Sequence, residues 1–203
     1  GAVMALIVDT VGQWQEMRPA LAPVVVPAAG RLGGMAIPVP CASTLMVRRD
    51  LVVANAYNPN HVSDDRMQLL YQSIVDNGFA FPIVAIWDGD RELFVVVDGF
   101  HRYLVSGPDW LGMSHVPVAV LGHDATQRMV ATWQFNKARG AHEVDLDADL
   151  IRALIEQGMA EEEIAQHLGI DLDTVYRYKQ VTGIAALFAR AEYSLAWEMQ
   201  EVD

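Results

Sequence analysis

Residues 97–103 read VDGFHRY, between the run Leu93-Phe94-Val95-Val96-Val97 and the continuation Leu104-Val105-Ser106. The apolar run has the length and β-branched content of a buried strand, and the continuation reads as a short helix, so Asp98–Arg102 is a strand-to-helix turn. Two readings suit a glycine, a histidine and an arginine there. In the plainer one, Asp98 is an N-cap, Arg102 is its surface partner and His101 is a satisfied histidine. In the sharper one the turn is a phosphate site. A helix start and its dipole favour an anion, Gly99 lets a ligand approach the backbone, and His101 and the forked guanidinium of Arg102 add donors. Asp98 would repel a polyphosphate unless magnesium, charged His101 or Arg102 intervened, so binding is expected to need magnesium or to strengthen at mildly acidic pH. In this reading Arg102 faces solvent, and Arg102→Ala leaves the fold intact.

Working outward, Pro82–Trp87 reads as a strand, Asp88-Gly89-Asp90 as a turn, and Leu93–Val97 as its hairpin partner. Upstream, residues 44–56 suggest a strand or hairpin, Tyr57–Asn60 a turn, and Ser63 the cap of a helix. Met67, Leu70, Tyr71 and Ile74 recur along that helix before Asn77-Gly78 ends it. Downstream, Val116–Leu121 gives a further strand, with Pro117 pointing to an edge or a strand start. A helix over Thr126–Ala138 carries Met129, Val130 and Trp133 on one face. From Asp145 onward the pattern is helical only. The expected fold is therefore α+β: a small mixed sheet with helices, then an all-helical domain. The boundaries are 1–43 for an N-terminal arm or extra strand, 44–140 for the sheet domain and 141–203 for the helical domain.

The chain has 203 residues, 52% of them hydrophobic, and a formal net charge of −12. This is enough for one good core plus a small second domain. Residues 140–203 hold fourteen acidic side chains against four basic ones, so most of the negative charge lies in the helical half. A single cysteine, Cys41, rules out an internal disulfide framework and suits a reducing cytoplasm. The apolar opening, Met4–Pro40, is interrupted by charges and five prolines, which argues against a membrane span and against targeting.

Residues 161–180 read EEEIAQHLGIDLDTVYRYKQ. With Gly169 as the turn, Ala165 falls where two helices cross closely, and Ile164, Leu168, Ile170, Val175 and Tyr178 fall on the inner faces of a helix-turn-helix. The second helix turns Asp173, Tyr176, Arg177 and Gln180 outward. Arg177 and Gln180 can read guanine and adenine edges, Lys179 can contact phosphate, and Thr174 and Tyr176 complete the candidate DNA-binding set. Asp171 suits a helix cap. The local acidity weakens any DNA contact, and a helix-turn-helix can equally be a packing or protein-binding unit.

The order of these elements resembles the ParB/sulfiredoxin superfamily over most of residues 50–182. The matching pieces are YNPN, SIVDNGF, PIVAIW, VVVDGFHR, VPVAV, NKARG and the helix-turn-helix. Within it the DGFHR and NKARG pair is most similar to phage and prophage ParB-like regulators of the IbrB-like group. The resemblance implies a nucleotide-phosphate site at Asp98, Gly99, Phe100, His101 and Arg102, with Asn136 and Arg139 as its far wall. A nucleoside di- or triphosphate with magnesium is the implied ligand. Phe135 stands where partition proteins carry a glutamate associated with metal and nucleotide, a departure that bears against cytidine triphosphate switching. Phe100 stands where sulfiredoxins carry their reactive cysteine, which sets that chemistry aside.

Two functions are compatible with this pattern. The first is a nucleotide-responsive, DNA-associated regulator of partition or transcription type, acting as a homodimer or with a protein partner and with no membrane role. The alternative is a small-molecule phosphotransferase resembling the ParB-fold free-serine kinase, whose DG-x-HR turn matches Asp98, Gly99, His101 and Arg102. Asp98 would then hold magnesium or act as base, but no second carboxylate is clearly placed. Catalytic residues are therefore left open. His115, His123, His142 and His167 lack metal-ligand spacing, so zinc is not expected. Nor is there an acidic cluster for two-metal nuclease chemistry.

Overall fold

The computed structural model describes residues 6–31, 33–54, 64–123, 125–138 and 144–179. The chain divides into two compact units, Gly1–Thr132 and Trp133–Asp203.

The first unit opens with a short strand, β1 (Ile7–Val8), and a helix, α1 (Val11–Met17). Thr10 and Gln13 form a reciprocal capping box at the start of α1, each side chain accepting from the other's backbone N–H. Beyond α1 lies a hairpin of β2 (Val25–Ala28) and β3 (Met35–Pro38). Next come β4 (Leu45–Arg48), β5 (Val52–Val53), α2 (Asp64–Asn77), β6 (Ile83–Asp88), β7 (Leu93–Asp98), α3 (Phe100–Val105), β8 (His115–Leu121) and α4 (Ala125–Ala138). Six strands form one mixed sheet in the order β1-β4-β8-β6-β7-β5.

Two sequence expectations are corrected. Of the strand or hairpin expected over residues 44–56, the strand is present as β4, and no hairpin forms among residues 44–54: β4 pairs with β1 and β8, whereas β5 pairs with β7 at the far edge. Only the 3-10 turn Arg49–Leu51 joins them. Four strand spacings of about 4.8 Å amount to about 19 Å. The link from Arg48 to Val52 reaches at most about 14 Å, so the sheet must curl. Pro117 is likewise not on an edge strand, since β8 lies between β4 and β6. The β6 ladder begins only at Val118, so at Pro117 just β4 runs alongside, and the missing N–H is tolerated.

β7 is paired on both sides, and Phe94–Val97 are all buried, which explains a continuous apolar run in place of an alternating one. Phe94 sits 5.0 Å from both Trp14 and Trp87 in edge-on contacts, with the two tryptophans 5.8 Å apart. Val8 and Trp14 thus place the N-terminal segment in the core of the sheet unit. The second unit is helical among its described residues: the end of α4, then α5 (Val144–Glu156), α6 (Glu161–Leu168) and a further helix, α7, over residues 172–179.

Candidate functional site

β7 ends at Asp98, opposite a register shift between Val84 and Ala85 of β6. A bulge of this kind bends the end of a strand and re-aims the turn beyond it. The N-cap of α3 is Gly99, with φ 89° and ψ 28°, a left-handed conformation that disfavours any residue with a Cβ. Asp98 is therefore not the N-cap. Its carboxylate is buried and accepts from Arg102 Nη2 at 3.3 Å. The same Nη2 donates to the carbonyl oxygen of Pro82 at 3.2 Å. A Cβ on Gly99 would lie 2.8 Å from that nitrogen, so the guanidinium lies directly over the glycine. Arg102 is 19% exposed, which overturns the expectation that it faces solvent. It clasps the turn from inside.

Phe100 and His101 are half-buried, with their rings 5.6 Å apart. The turn thus gathers Asp98, Gly99, Phe100, His101 and Arg102 at the carboxyl end of β7. Asn136 lies on α4 and nothing is described of its side chain, while Arg139 lies outside the described residues, as do Tyr57–Asn60, His61 and Ser63. Arg49, which sequence reasoning passed over, secures the other end of α3. It donates from Nε to Ser106 Oγ at 2.9 Å and from Nη2 to the Tyr103 carbonyl at 3.1 Å, and lies 4.4 Å from the Tyr103 ring centroid. A long-range contact of this kind leaves no periodic trace in the sequence. Asp98 is committed to Arg102 and buried, so it is poorly placed as an accessible base for a phosphotransferase. No group of three or more His, Cys, Asp or Glu side chains suited to a metal is found among the described residues.

In the second unit α6 ends at Gly169, whose φ of 64° gives the left-handed C-cap that lets the chain turn. Ile164, Leu168 and Val175 are buried with Ile151 and Leu154 of α5, and Ile170 and Tyr178 are half-buried. Asp171 caps α7, its two carboxylate oxygens accepting from the Thr174 N–H at 2.7 Å and the Thr174 hydroxyl at 2.9 Å. These bonds hold the Asp171 carboxyl below its usual range. Thr174 is therefore half-buried at the cap, while Tyr176, Arg177 and Lys179 are exposed. Lys179 Nζ pairs with Glu161, which raises the lysine and lowers the glutamate pKa. Gln180 lies outside the described residues.

Three comparisons bear on this arrangement. The family described as IbrB-like C-terminal HTH domain matches residues 142–190. The uncharacterized protein YbdM of Escherichia coli (strain K12) is 36% identical over 167 residues, covering 80% of this chain and 78% of YbdM. Among solved structures, the C-terminally truncated chromosome-partitioning protein ParB from Caulobacter crescentus complexed with CTP-gamma-S is similar at a TM-score of 0.42 and 19% identity, over 75% of this chain and 87% of that one. ParB from Caulobacter crescentus complexed to the centromeric parS site gives 0.44 and 19%, over 70% and 76%. With four fifths of its length aligned to YbdM and residues 142–190 matched by the IbrB-like C-terminal HTH family, the chain belongs to the YbdM family, with an α+β N-terminal unit followed by an IbrB-like helix-turn-helix domain.

Proposed function

We propose that the protein is a DNA-associated, nucleotide-responsive regulator that reads DNA through α7. The observation that carries this reading is the built helix-turn-helix: Ile164, Leu168 and Val175 buried around a left-handed Gly169, with Tyr176 and Arg177 left exposed on the second helix. Arg177 is the cation best placed for base edges, since Lys179 is paired with Glu161. With so few positive charges, affinity is expected to be weak and steeply salt-dependent. Anisotropy titrations of a preferred duplex, selected from a random pool, test this. Arg177→Ala should weaken binding about tenfold or more. Equal binding by both proteins at moderate salt would reject the DNA-reading role of α7 and favour a protein partner.

The nucleotide half of the reading places a nucleoside di- or triphosphate at Asp98–Arg102. Its support is the left-handed turn at the carboxyl end of β7, with His101 and Arg102 in the first turn of α3. Arg102 is held by Asp98, so it serves either as the rivet that shapes the turn or as a cation that exchanges Asp98 for phosphate. Thermal-shift screening against nucleoside di- and triphosphates, with and without magnesium, tests this half. Stabilisation by a subset of nucleotides, lost in His101→Ala, is expected. No shift with any of them rejects it.

A further inference from the structure

We infer that Glu161 is an autoinhibitory carboxylate: it occupies Lys179 in the free protein, and a duplex that seats on α7 exchanges it for one of its own phosphates. The inference rests on the DNA-reading role proposed for α7 and adds what regulates that role. Lys179 Nζ pairs with Glu161 Oε1 although the two residues are 18 apart in sequence, which joins the end of α7 to the start of α6.

Lys179 stands three residues beyond Tyr176, so it flanks the exposed face that carries Tyr176 and Arg177. A helix seated in the major groove turns the centre of such a face to base edges. Its flanks meet the groove walls, which are phosphate backbone. The first helix of the motif crosses the same backbone, and here it opens on Glu161, Glu162 and Glu163. Glu163 turns back to accept from the Ala160 N–H at 3.4 Å, Glu161 takes the lysine, and Glu162 is exposed.

The surrounding charge makes the contact matter. Residues 144–179 hold nine acidic side chains and three basic ones, Arg152, Arg177 and Lys179. Arg152 pairs with Glu156 within α5, and only the other two belong to α7. Tying up Lys179 therefore halves the positive charge that α7 turns toward DNA. The pair is also built to exchange. Its side chains are 50% and 26% exposed, so water and salt weaken it. A duplex, with one charge per about 1.7 Å of its axis, offers the lysine a denser field of anions. The pairing holds the glutamate below and the lysine above their ordinary pKa values, so both are charged at neutral pH and the exchange swaps anion for anion without moving a proton.

Anisotropy titration of the selected duplex by the full chain, repeated over a range of salt, tests the inference. Glu161→Gln keeps the shape of a solvated side chain and removes its charge, so the fold should persist. It should bind at least about threefold tighter, and the slope of log affinity against log salt should steepen by about 0.9, the mark of one added phosphate contact. Glu162→Gln removes an equal charge from the same turn but not the partner of Lys179, and should keep the wild-type slope. The added slope should vanish when Glu161→Gln is combined with Lys179→Met. A Glu161→Gln protein with the wild-type slope overturns the inference, even where Arg177→Ala has upheld the DNA reading. A steeper slope shared by Glu162→Gln, or surviving in the Lys179→Met combination, overturns it as well. Absence of duplex binding in the wild type and in every variant removes the DNA reading itself, and the inference with it.

Discussion

Gly99 and Gly169 each sit at a helix end with positive φ, 89° and 64°, yet they do different work. Gly169 ends α6, and a Cβ there would meet nothing within 4 Å. Its constraint is the backbone alone. Gly99 begins α3, and a Cβ there would strike the guanidinium that joins Asp98 to the Pro82 carbonyl. Its constraint is backbone plus a buried polar clasp. A turn that only redirects the chain tolerates change cheaply. A turn with a charged side chain folded over it is a built structure, whether or not a ligand also uses it.

The largest expected effect comes from removing the clasp. Arg102→Ala removes the ion-pair partner of a buried carboxylate, and the cost should be about 3 kcal/mol, read as a fall in denaturation midpoint. Asp98→Ala should cost less, because Arg102 is 19% exposed and can turn its guanidinium toward water. Equal and negligible losses in both variants would show that the pair contributes nothing to the turn and would remove half of the contrast between the two glycines.

Gly99→Ala comes next, at about 2–3 kcal/mol: about 1–2 for a left-handed residue with a Cβ, and the rest from displacing the guanidinium. Gly169→Ala should cost about 1 kcal/mol, the backbone part alone. In the Arg102→Ala background the extra loss at Gly99 should shrink to that same backbone value, since the obstructing group is gone. A double-mutant cycle measures this directly. Full additivity of Gly99→Ala and Arg102→Ala would mean that the close approach has no energetic consequence.

The helix-turn-helix was legible because its signals are local: apolar spacing through Ile164, Leu168 and Val175, one glycine between the helices and one Asp to cap the second. The hairpin of β6 and β7 was legible for the same reason. The sheet order was not, because β4 and β5 are neighbours in sequence and belong to different ends of the sheet, a fact decided by curling. Trp14 escaped notice because the proline-rich segment around it gives no periodicity, although it packs on Phe94. The DGFHR turn was half legible. An Asp and an Arg four residues apart fit a surface pair or a buried clasp equally well in sequence, and only the position of Pro82 and the fold-back over Gly99 choose the clasp.

The smallest expected effect sharpens the comparison from the side of α7. Asp171 is held below its ordinary value of 3.8 by the Thr174 hydroxyl first and the Thr174 N–H next. Glu161 is held below its ordinary 4.5 by the hydrogen bond from Lys179. A carboxyl whose folded pKa is depressed contributes stability that is complete at neutral pH, and that stability is lost as pH falls through the folded value. Lys179 is raised above its ordinary 10.5 by Glu161, so its share is complete below that value and lost as pH rises through the raised one. The helix-turn-helix should therefore weaken at both extremes, in acid below about pH 4 and in alkali above about pH 10.5. These groups are solvated, so each limb is shallow and salt-sensitive. Thermal unfolding measured against pH checks the signs: Asp171→Asn should flatten part of the acid limb alone, whereas Lys179→Met should remove the alkaline contribution and the Glu161 part of the acid one. An alkaline limb that survives in Lys179→Met would show that the lysine is not its source, and the link between the start of α6 and the end of α7 would carry no stability.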